Sequence, residues 1–162
     1  MPDLEFELVN TDSKPVTAED FAGQVRLMFF GFTSCPDICP ATLSYLQKAI
    51  KQMPEELQED VTVLFVSVDP DRDTPEKMQQ YTGFFGDNIA GLVAEEKPLR
   101  ELAKRYRTTF GYGKPDSSGH YDVSHSNAIY VFDTEGKVRL LLRSELTSEQ
   151  VTEDLTALAA SG

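Results

Sequence analysis

The sequence has no apolar stretch long enough to cross a bilayer. Its longest one lies around residues 28–32, whereas a transmembrane helix needs about 20 predominantly apolar residues. The first ten residues, MPDLEFELVN, also lack the basic flank and the apolar core of a signal peptide. Two possibilities follow: either the protein is cytoplasmic, or the chain begins after a signal or membrane anchor that has been removed.

Basic residues are scarce. Lys and Arg number 15 against 27 Asp and Glu in 162 residues, which gives a formal net charge of -12. No segment gathers enough cations to follow a phosphate backbone, so we expect no nucleic-acid partner. The acidity is typical of a solvated, self-repelling surface, and a cationic ligand or a basic docking partner is the alternative.

Cysteine is also rare, with only two residues, and the sequence contains no internal repeat and no linker rich in Pro, Gly and Ser. A chain of this length buries roughly two-thirds of the surface that its unfolded form exposes, so it does not need disulfides for stability. We therefore predict a single domain over residues 1–162 and expect the two cysteines to be available for chemistry.

Short apolar runs alternate with amphipathic segments along the first half of the chain. Residues 24–32 and 61–69 are rich in β-branched and aromatic side chains, which is typical of strands buried on both faces. Between them, residues 41–53 carry apolar side chains at spacings of three and four, which indicates an amphipathic helix. Strand, cysteine turn (residues 32–39), helix and strand make a βαβ unit.

The second half of the chain extends this pattern. Helices are predicted over residues 73–85 and 97–110, with a short strand over 90–95 between them. Two strand-like runs within 126–143 are joined by Thr-Glu-Gly, which suits an antiparallel hairpin, and residues 147–160 begin with a capping box. This order predicts an α/β, thioredoxin-like fold, with a mixed sheet flanked by helices.

Residues 107–125 are rich in Gly, Pro and Ser and predict a long, mostly irregular loop. Loops of this length inside a compact domain are usually functional or disordered. Both histidines of the chain, His120 and His125, lie here. We predict that His125 is the better candidate ligand, because it stands where the loop enters a strand and can face the cysteine turn. His120 lies in mid-loop beside Gly119.

Cys35 and Cys39 stand between a buried strand and a helix N-terminus. Backbone N–H groups and the helix dipole at such a turn favour thiolate over thiol, so we expect both sulfurs to be primed as ligands or nucleophiles. A static disulfide would close a loop too small to add much stability. The spacing is C-x-x-x-C rather than the C-x-x-C of redox enzymes, and the Asp37 carboxylate between the sulfurs disfavours a free thiolate but favours a bound cation.

The donor set favours copper among metals. Two thiolates are too few for a closed structural zinc site, which takes four ligands. Soft thiolates with one imidazole suit copper, so Cys35, Cys39 and His125 are a plausible three-coordinate set. Thiol chemistry by the two cysteines without a metal remains the alternative.

Three aspartates after the second strand raise the possibility of calcium. Asp69, Asp71 and Asp73 occupy the first, third and fifth positions of a calcium loop, but Thr74 replaces the glycine of the sixth position and Gln80 replaces the glutamate of the twelfth. We therefore reject calcium and predict a turn, with Asp69 at the strand end facing the cysteine turn.

Three motifs, GFTSCPDICPATL, VSVDPDRDTP and YDVSHSNAIYVFD, together resemble those of the Sco/SenC family of copper-binding assembly proteins, over nearly the whole chain. The resemblance implies a thioredoxin-like fold and an N-terminal membrane attachment, with the domain facing the periplasm or another extracytoplasmic space. It implies that Cys35, Cys39 and His125 bind one copper ion, as Cu⁺ or Cu²⁺, and that Asp69 supports the site. Ser124 departs from the pattern, since the family usually has an acidic residue before the metal histidine.

The same resemblance implies a role in building the binuclear copper centre of cytochrome c oxidase. The expected partners are the copper-site subunit of the oxidase and other copper carrier proteins. Family members either hand over copper or reduce the cysteines of that centre. A thiol–disulfide oxidoreductase with Cys35 and Cys39 as its redox pair is therefore the alternative to a chaperone without enzymatic activity. A peroxidase acting through Cys35 is a weaker third possibility, because no basic residue lies near the cysteines in the sequence.

Overall fold

The computed structural model describes residues 3–35, 38–119, 121, 123–125, 128–142 and 147–161, apart from the side chains of Ile38, Ser124, His125 and Ser161. The strands in this part of the chain are β1 Glu7–Val9, β2 Pro15–Thr17, β3 Val25–Gly31, β4 Val61–Ser67, β5 Ile89–Leu92, β6 Phe110–Tyr112, β7 Val123–His125, β8 Ile129–Phe132 and β9 Val138–Leu142. The helices are α1 Ile38–Lys51, α2 Glu55–Gln58, α3 Pro75–Phe85, α4 Glu96–Arg105 and α5 Ser148–Ser161, with a 3-10 turn at Ala18–Phe21.

The main sheet has five strands in the order β5-β4-β3-β8-β9. β3 pairs in parallel with β4, and β4 with β5, whereas β8 runs antiparallel to β3 and β9 antiparallel to β8. Every residue of β3 and β4 is buried, as expected of runs that are apolar at nearly every position. The predicted thioredoxin-like mixed sheet, with these two strands inside it, is confirmed.

α3 and α5 form close to the predicted ranges. The short helix α2 was not predicted, and α4 ends at Arg105 rather than at residue 110. α1 was predicted over residues 41–53 and is shifted towards the N-terminus. It begins at Ile38, so Cys39 lies in the first turn of the helix rather than before it. Pro40 is compatible with this start, because the first helical turn makes no use of its missing N–H. Thr74 caps α3 by accepting a hydrogen bond from the Lys77 N–H at 3.2 Å.

The prediction of a mostly irregular segment over residues 107–125 is wrong at its two ends. β6 and β7 pair antiparallel, with Phe110 opposite His125 and Tyr112 opposite Val123. We call this pair the β6–β7 ribbon. Its strands have three residues each, too few for a clear period-two signal. A second short pair, β1 with β2, also went unpredicted for the same reason.

No helix within the described ranges is both long enough and apolar enough to cross a membrane. That residues 1–162 form a single domain stays a prediction.

Candidate functional site

The cysteine turn connects the carboxyl end of β3 to the first turn of α1. The Cys35 N–H donates a hydrogen bond to the Phe32 carbonyl at 3.2 Å. The Cys39 N–H, at the start of the helix, points to the Cys35 Sγ at 3.5 Å. Both residues are thiols in this structure; Cys35 is half-buried and Cys39 is 0% exposed. Cys35 is therefore the sulfur that a partner or an incoming ion meets first.

The buried position of Cys39 depends on Gly31, the last residue of β3. A Cβ at Gly31 would lie 2.8 Å from the Cys39 Sγ and 3.2 Å from atoms of the Phe29 and Phe65 rings. Such an approach is closer than van der Waals contact allows. The missing side chain therefore makes room for the sulfur between the strand and the aromatic core.

Burial raises the pKa of the Cys39 thiol above its ordinary value, and the nearby Cys35 and Asp73 raise it further. Removal of water penalises the charged thiolate, and here this penalty outweighs a hydrogen bond with the Phe32 backbone, which lowers the pKa. The expectation that both sulfurs favour the thiolate is therefore not met at Cys39, because its burial favours the thiol.

Asp73 is the carboxylate that binds the cysteine turn. It accepts hydrogen bonds from the Thr33 N–H at 3.1 Å and the Thr33 hydroxyl at 2.5 Å. The Ser67 hydroxyl donates a third, at 2.7 Å. Asp73 is almost fully buried. Sequence reasoning weighed Asp73 only as a position of a calcium loop and did not connect it with the cysteine turn.

Asp69 faces a different neighbour from the one predicted. It is 0% exposed, and its two carboxylate oxygens accept hydrogen bonds from the Arg72 Nε and, at 2.6 Å, from the Tyr121 hydroxyl. The bonds to the cysteine turn come from Asp73 instead. The prediction that Asp69 faces the cysteine turn is therefore corrected: its carboxylate holds the segment that leads to β7.

The backbone of His125 ends β7, opposite Phe110. The side chains of His125 and Ser124 lie outside the described part of the structure, as do the whole of Asp37 and His120. Among the side chains that are described, no group of three or more His, Cys, Asp or Glu could hold a metal ion. Ligation by Cys35, Cys39 and His125 thus stays a prediction.

Tyr81 on α3 is a further residue near the cysteines that the sequence did not reveal. Its ring lies 5.5 Å from the Phe65 ring, centroid to centroid, and its hydroxyl is buried without a hydrogen-bond partner among the described residues. Burial raises the pKa of this phenol, and the Cys39 and Cys35 sulfurs add to the effect. The phenol is therefore a neutral group close to both thiols.

The mixed sheet and the paired thiols at the β3–α1 turn define a thioredoxin-like protein with a dithiol site. The family model described as SCO1/SenC matches residues 3–160. The chain belongs to the SCO1/SenC family, and the resemblance drawn from the three motifs is confirmed.

Similar proteins agree with this assignment. Protein sco1 of Schizosaccharomyces pombe is 34% identical over 148 residues, which are 90% of this chain and 56% of that protein. The chain thus spans little more than half the length of this relative. The solved structure of Bradyrhizobium japonicum ScoI with copper bound has a TM-score of 0.87 and 30% identity, covering 98% of this chain and 99% of that one. A SCO1/SenC family lipoprotein from Bacillus anthracis str. Ames has a TM-score of 0.79 and 28% identity, covering 97% and 95%.

Proposed function

We propose that the chain is a copper-binding metallochaperone that holds one copper ion through Cys35, Cys39 and His125. The observation that carries this proposal is the paired thiols at the β3–α1 turn of a Sco-type fold, one half-exposed and one buried. Two sulfur donors suit Cu⁺, and an added imidazole and water suit Cu²⁺. The copper-bound relative from B. japonicum supports the choice of metal.

The ion is cargo for an oxidase. The Sco/SenC resemblance implies delivery to the copper-site subunit of cytochrome c oxidase, with other copper carriers as its source. The B. anthracis relative is a lipoprotein, which supports a tethered position at the periplasmic or another extracytoplasmic face of a membrane. In this proposal the full-length protein carries the tether.

A second function, thiol–disulfide exchange, is favoured by the different burial of the two neighbouring cysteines. The half-buried Cys35 is the accessible nucleophile, and the Cys39 N–H points to its sulfur at 3.5 Å. The buried Cys39 would then be the resolving thiol. This function needs no histidine, so exchange with a dithiol partner should survive His125→Ala.

Copper titration of the reduced protein tests the first proposal. We expect one ion per chain and a loss of affinity of about 100-fold or more in Cys35→Ala and in His125→Ala for Cu²⁺, because removal of a ligand should cost at least as much as loss of a supporting residue. His120→Ala is the matched control and should bind like the parent. Binding by His125→Ala with parental affinity and an unchanged electron paramagnetic resonance spectrum would refute the three-ligand site.

A further inference from the structure

We propose that Arg72 and Tyr121, joined through Asp69, are positioning residues that latch the β6–β7 ribbon to the turn after β4 and so set the place of His125. We call Asp69, Arg72, Tyr112 and Tyr121 the latch. This inference deepens the proposed copper site and depends on it for its functional meaning, although the latch itself consists of contacts among described residues.

The centre of the latch is the Asp69 carboxylate, which both partners share. Each of its oxygens has its own donor, the Arg72 Nε on one and the Tyr121 hydroxyl on the other. The Asp69 N–H is also bound, donating to the Ser67 hydroxyl at 3.1 Å. Both oxygens of this fully buried carboxylate accept a hydrogen bond. Releasing either donor would leave a buried charge partly unpaired, which is costly, so both donors are held in place.

Arg72 contacts both halves of the proposed site. Its Nη2 donates to the Tyr121 carbonyl at 3.1 Å, and its Cζ lies 3.9 Å from the centroid of the Tyr121 ring. The same Cζ lies 5.9 Å from the Phe32 ring, which belongs to the cysteine turn. Stacking of a guanidinium on an aromatic face, with hydrogen bonds in its plane, fixes orientation as well as distance.

Tyr112 gives the ribbon a second attachment to the same place. Its hydroxyl donates to the Val68 carbonyl at 2.7 Å, and its ring stands perpendicular to that of Tyr121 at 5.9 Å. Tyr112 pairs with Val123 across the ribbon. One attachment therefore lies within the ribbon and the other at Tyr121, so two points of this region are bound to the turn after β4.

The turn of residues 68–74 thus connects two parts of the chain that are distant in sequence. Asp73 binds the cysteine turn through Thr33, and Asp69 binds the segment before β7 through Tyr121. A ligand set assembled from such distant parts needs a rigid element that fixes their separation. The latch supplies it, and its chemistry is hydrogen bonding and stacking, not ligation.

The experiment uses Tyr121→Phe, which removes only the hydroxyl. We expect Cu²⁺ affinity to fall about tenfold, in the range typical of residues that orient a ligand. The nitrogen hyperfine signal in the electron paramagnetic resonance spectrum should weaken, while Cu⁺ affinity, carried mainly by the sulfurs, changes much less. Arg72→Lys, which keeps the charge but not the planar fork, should behave similarly.

Tyr106→Phe is the matched control. The hydroxyl that it removes donates to the Asp3 carbonyl at 2.8 Å and accepts from the Glu5 N–H at 3.1 Å and the Arg105 Nε at 3.3 Å. The change therefore costs more hydrogen bonds than Tyr121→Phe does, but at the N-terminal segment and α4, away from the latch. It should leave the copper spectrum unchanged. If Tyr121→Phe and Tyr106→Phe lowered Cu²⁺ affinity equally, a general loss of stability of the fold would explain both effects. That result would overturn the latch.

Hydrogen exchange of the copper-free protein separates the latch from the proposed function. In Tyr121→Phe the amides of residues 123–125 should exchange about tenfold faster, while those of β8 keep their rates, as the loss of one hydrogen bond allows. Unchanged exchange at 123–125 overturns the latch. A further outcome is that exchange at 123–125 is faster in Tyr121→Phe while His125→Ala binds copper as tightly as the parent. That combination would support the latch as a structural feature and refute the three-ligand copper site.

Discussion

The carboxylate of Asp73 accepts two hydrogen bonds from Thr33, one from the backbone N–H and one from the hydroxyl. Asp69, four residues earlier, makes neither of these bonds and instead binds Arg72 and Tyr121. Two buried carboxylates of one short turn therefore accept hydrogen bonds from different segments of the chain. Asp73 fixes the cysteine turn, and Asp69 fixes the approach to β7.

Replacing Asp73 by alanine should loosen the cysteine turn. The change leaves the Thr33 N–H, the Thr33 hydroxyl and the Ser67 hydroxyl without their acceptor, and buried donors of this kind cost about 1–3 kcal/mol when unpaired. We expect the free energy of unfolding, measured with urea, to fall by about 2–4 kcal/mol. Asp71→Ala, at an exposed position of the same turn, should change it by less than about 0.5 kcal/mol. Similar losses in both variants would contradict this account.

Gly31→Ala should displace the Cys39 sulfur. The new methyl group would overlap the Sγ and press on the Phe29 and Phe65 rings, and overpacking of this kind costs about 1–3 kcal/mol. We expect lower stability and faster alkylation of Cys39, measured by mass spectrometry of the digested protein.

The matched control for this substitution is Gly83→Ala in α3, where a Cβ meets nothing within 4 Å. Alanine should raise stability there by about 0.5–1 kcal/mol, because glycine is unfavourable inside a helix. If Gly31→Ala is as stable as the parent, the close approach of the sulfur to β3 is not a constraint.

Tyr81→Phe should leave the protein as stable as before, or make it more stable by up to about 1 kcal/mol, because the hydroxyl that it removes is buried and has no partner among the described residues. The comparison is Tyr130→Phe, which removes a buried hydroxyl that donates to the Tyr106 carbonyl at 3.0 Å. That variant should lose about 1 kcal/mol in thermal unfolding. A larger loss in Tyr81→Phe than in Tyr130→Phe would show that the Tyr81 hydroxyl has a partner in solution.

The long elements of the fold were predictable from local sequence. β3 and β4 are apolar at nearly every position because both faces of each strand are covered. α5 begins at the predicted capping box, with the Thr147 N–H donating to the Gln150 side chain at 2.9 Å. The four strands of three residues each were not predictable. Their formation depends on pairing with a distant segment, and three residues carry too little periodicity to reveal it.

The site was predictable only as far as its chemistry is local. A strand-to-helix turn places Cys35 and Cys39 together whatever surrounds them. Asp69 and Asp73 bind different partners because their side chains point in different directions from the turn. The sequence has no signal for these directions. The protonation of Cys39 likewise depends on burial against β3, which is set by packing across the sheet.

The last prediction concerns the hairpin of β8 and β9 and the pH dependence of stability. The Asp133 Oδ1 accepts hydrogen bonds from the N–H groups of Glu135 at 2.9 Å and Lys137 at 3.0 Å, and its Oδ2 lies 3.3 Å from the Arg139 Nη1. Burial acts to raise the pKa of this carboxyl, but these bonds together hold it below its ordinary value. In the unfolded chain the pKa of an aspartate is about 3.9.

Because the folded pKa is the lower one, the charged Asp133 stabilises the native state above the unfolded value, and this stabilisation is lost as pH falls through the folded pKa. Asp133→Asn keeps an acceptor for the two N–H groups but removes the charge. We expect it to be less stable than the parent by about 1 kcal/mol at pH 7, with the difference shrinking below about pH 4, in thermal unfolding followed by circular dichroism. Glu135→Gln, an exposed carboxylate in the same turn, should show no such pH-dependent difference. A deficit for Asp133→Asn that stays constant down to pH 2 would mean that the charge contributes nothing to the hairpin.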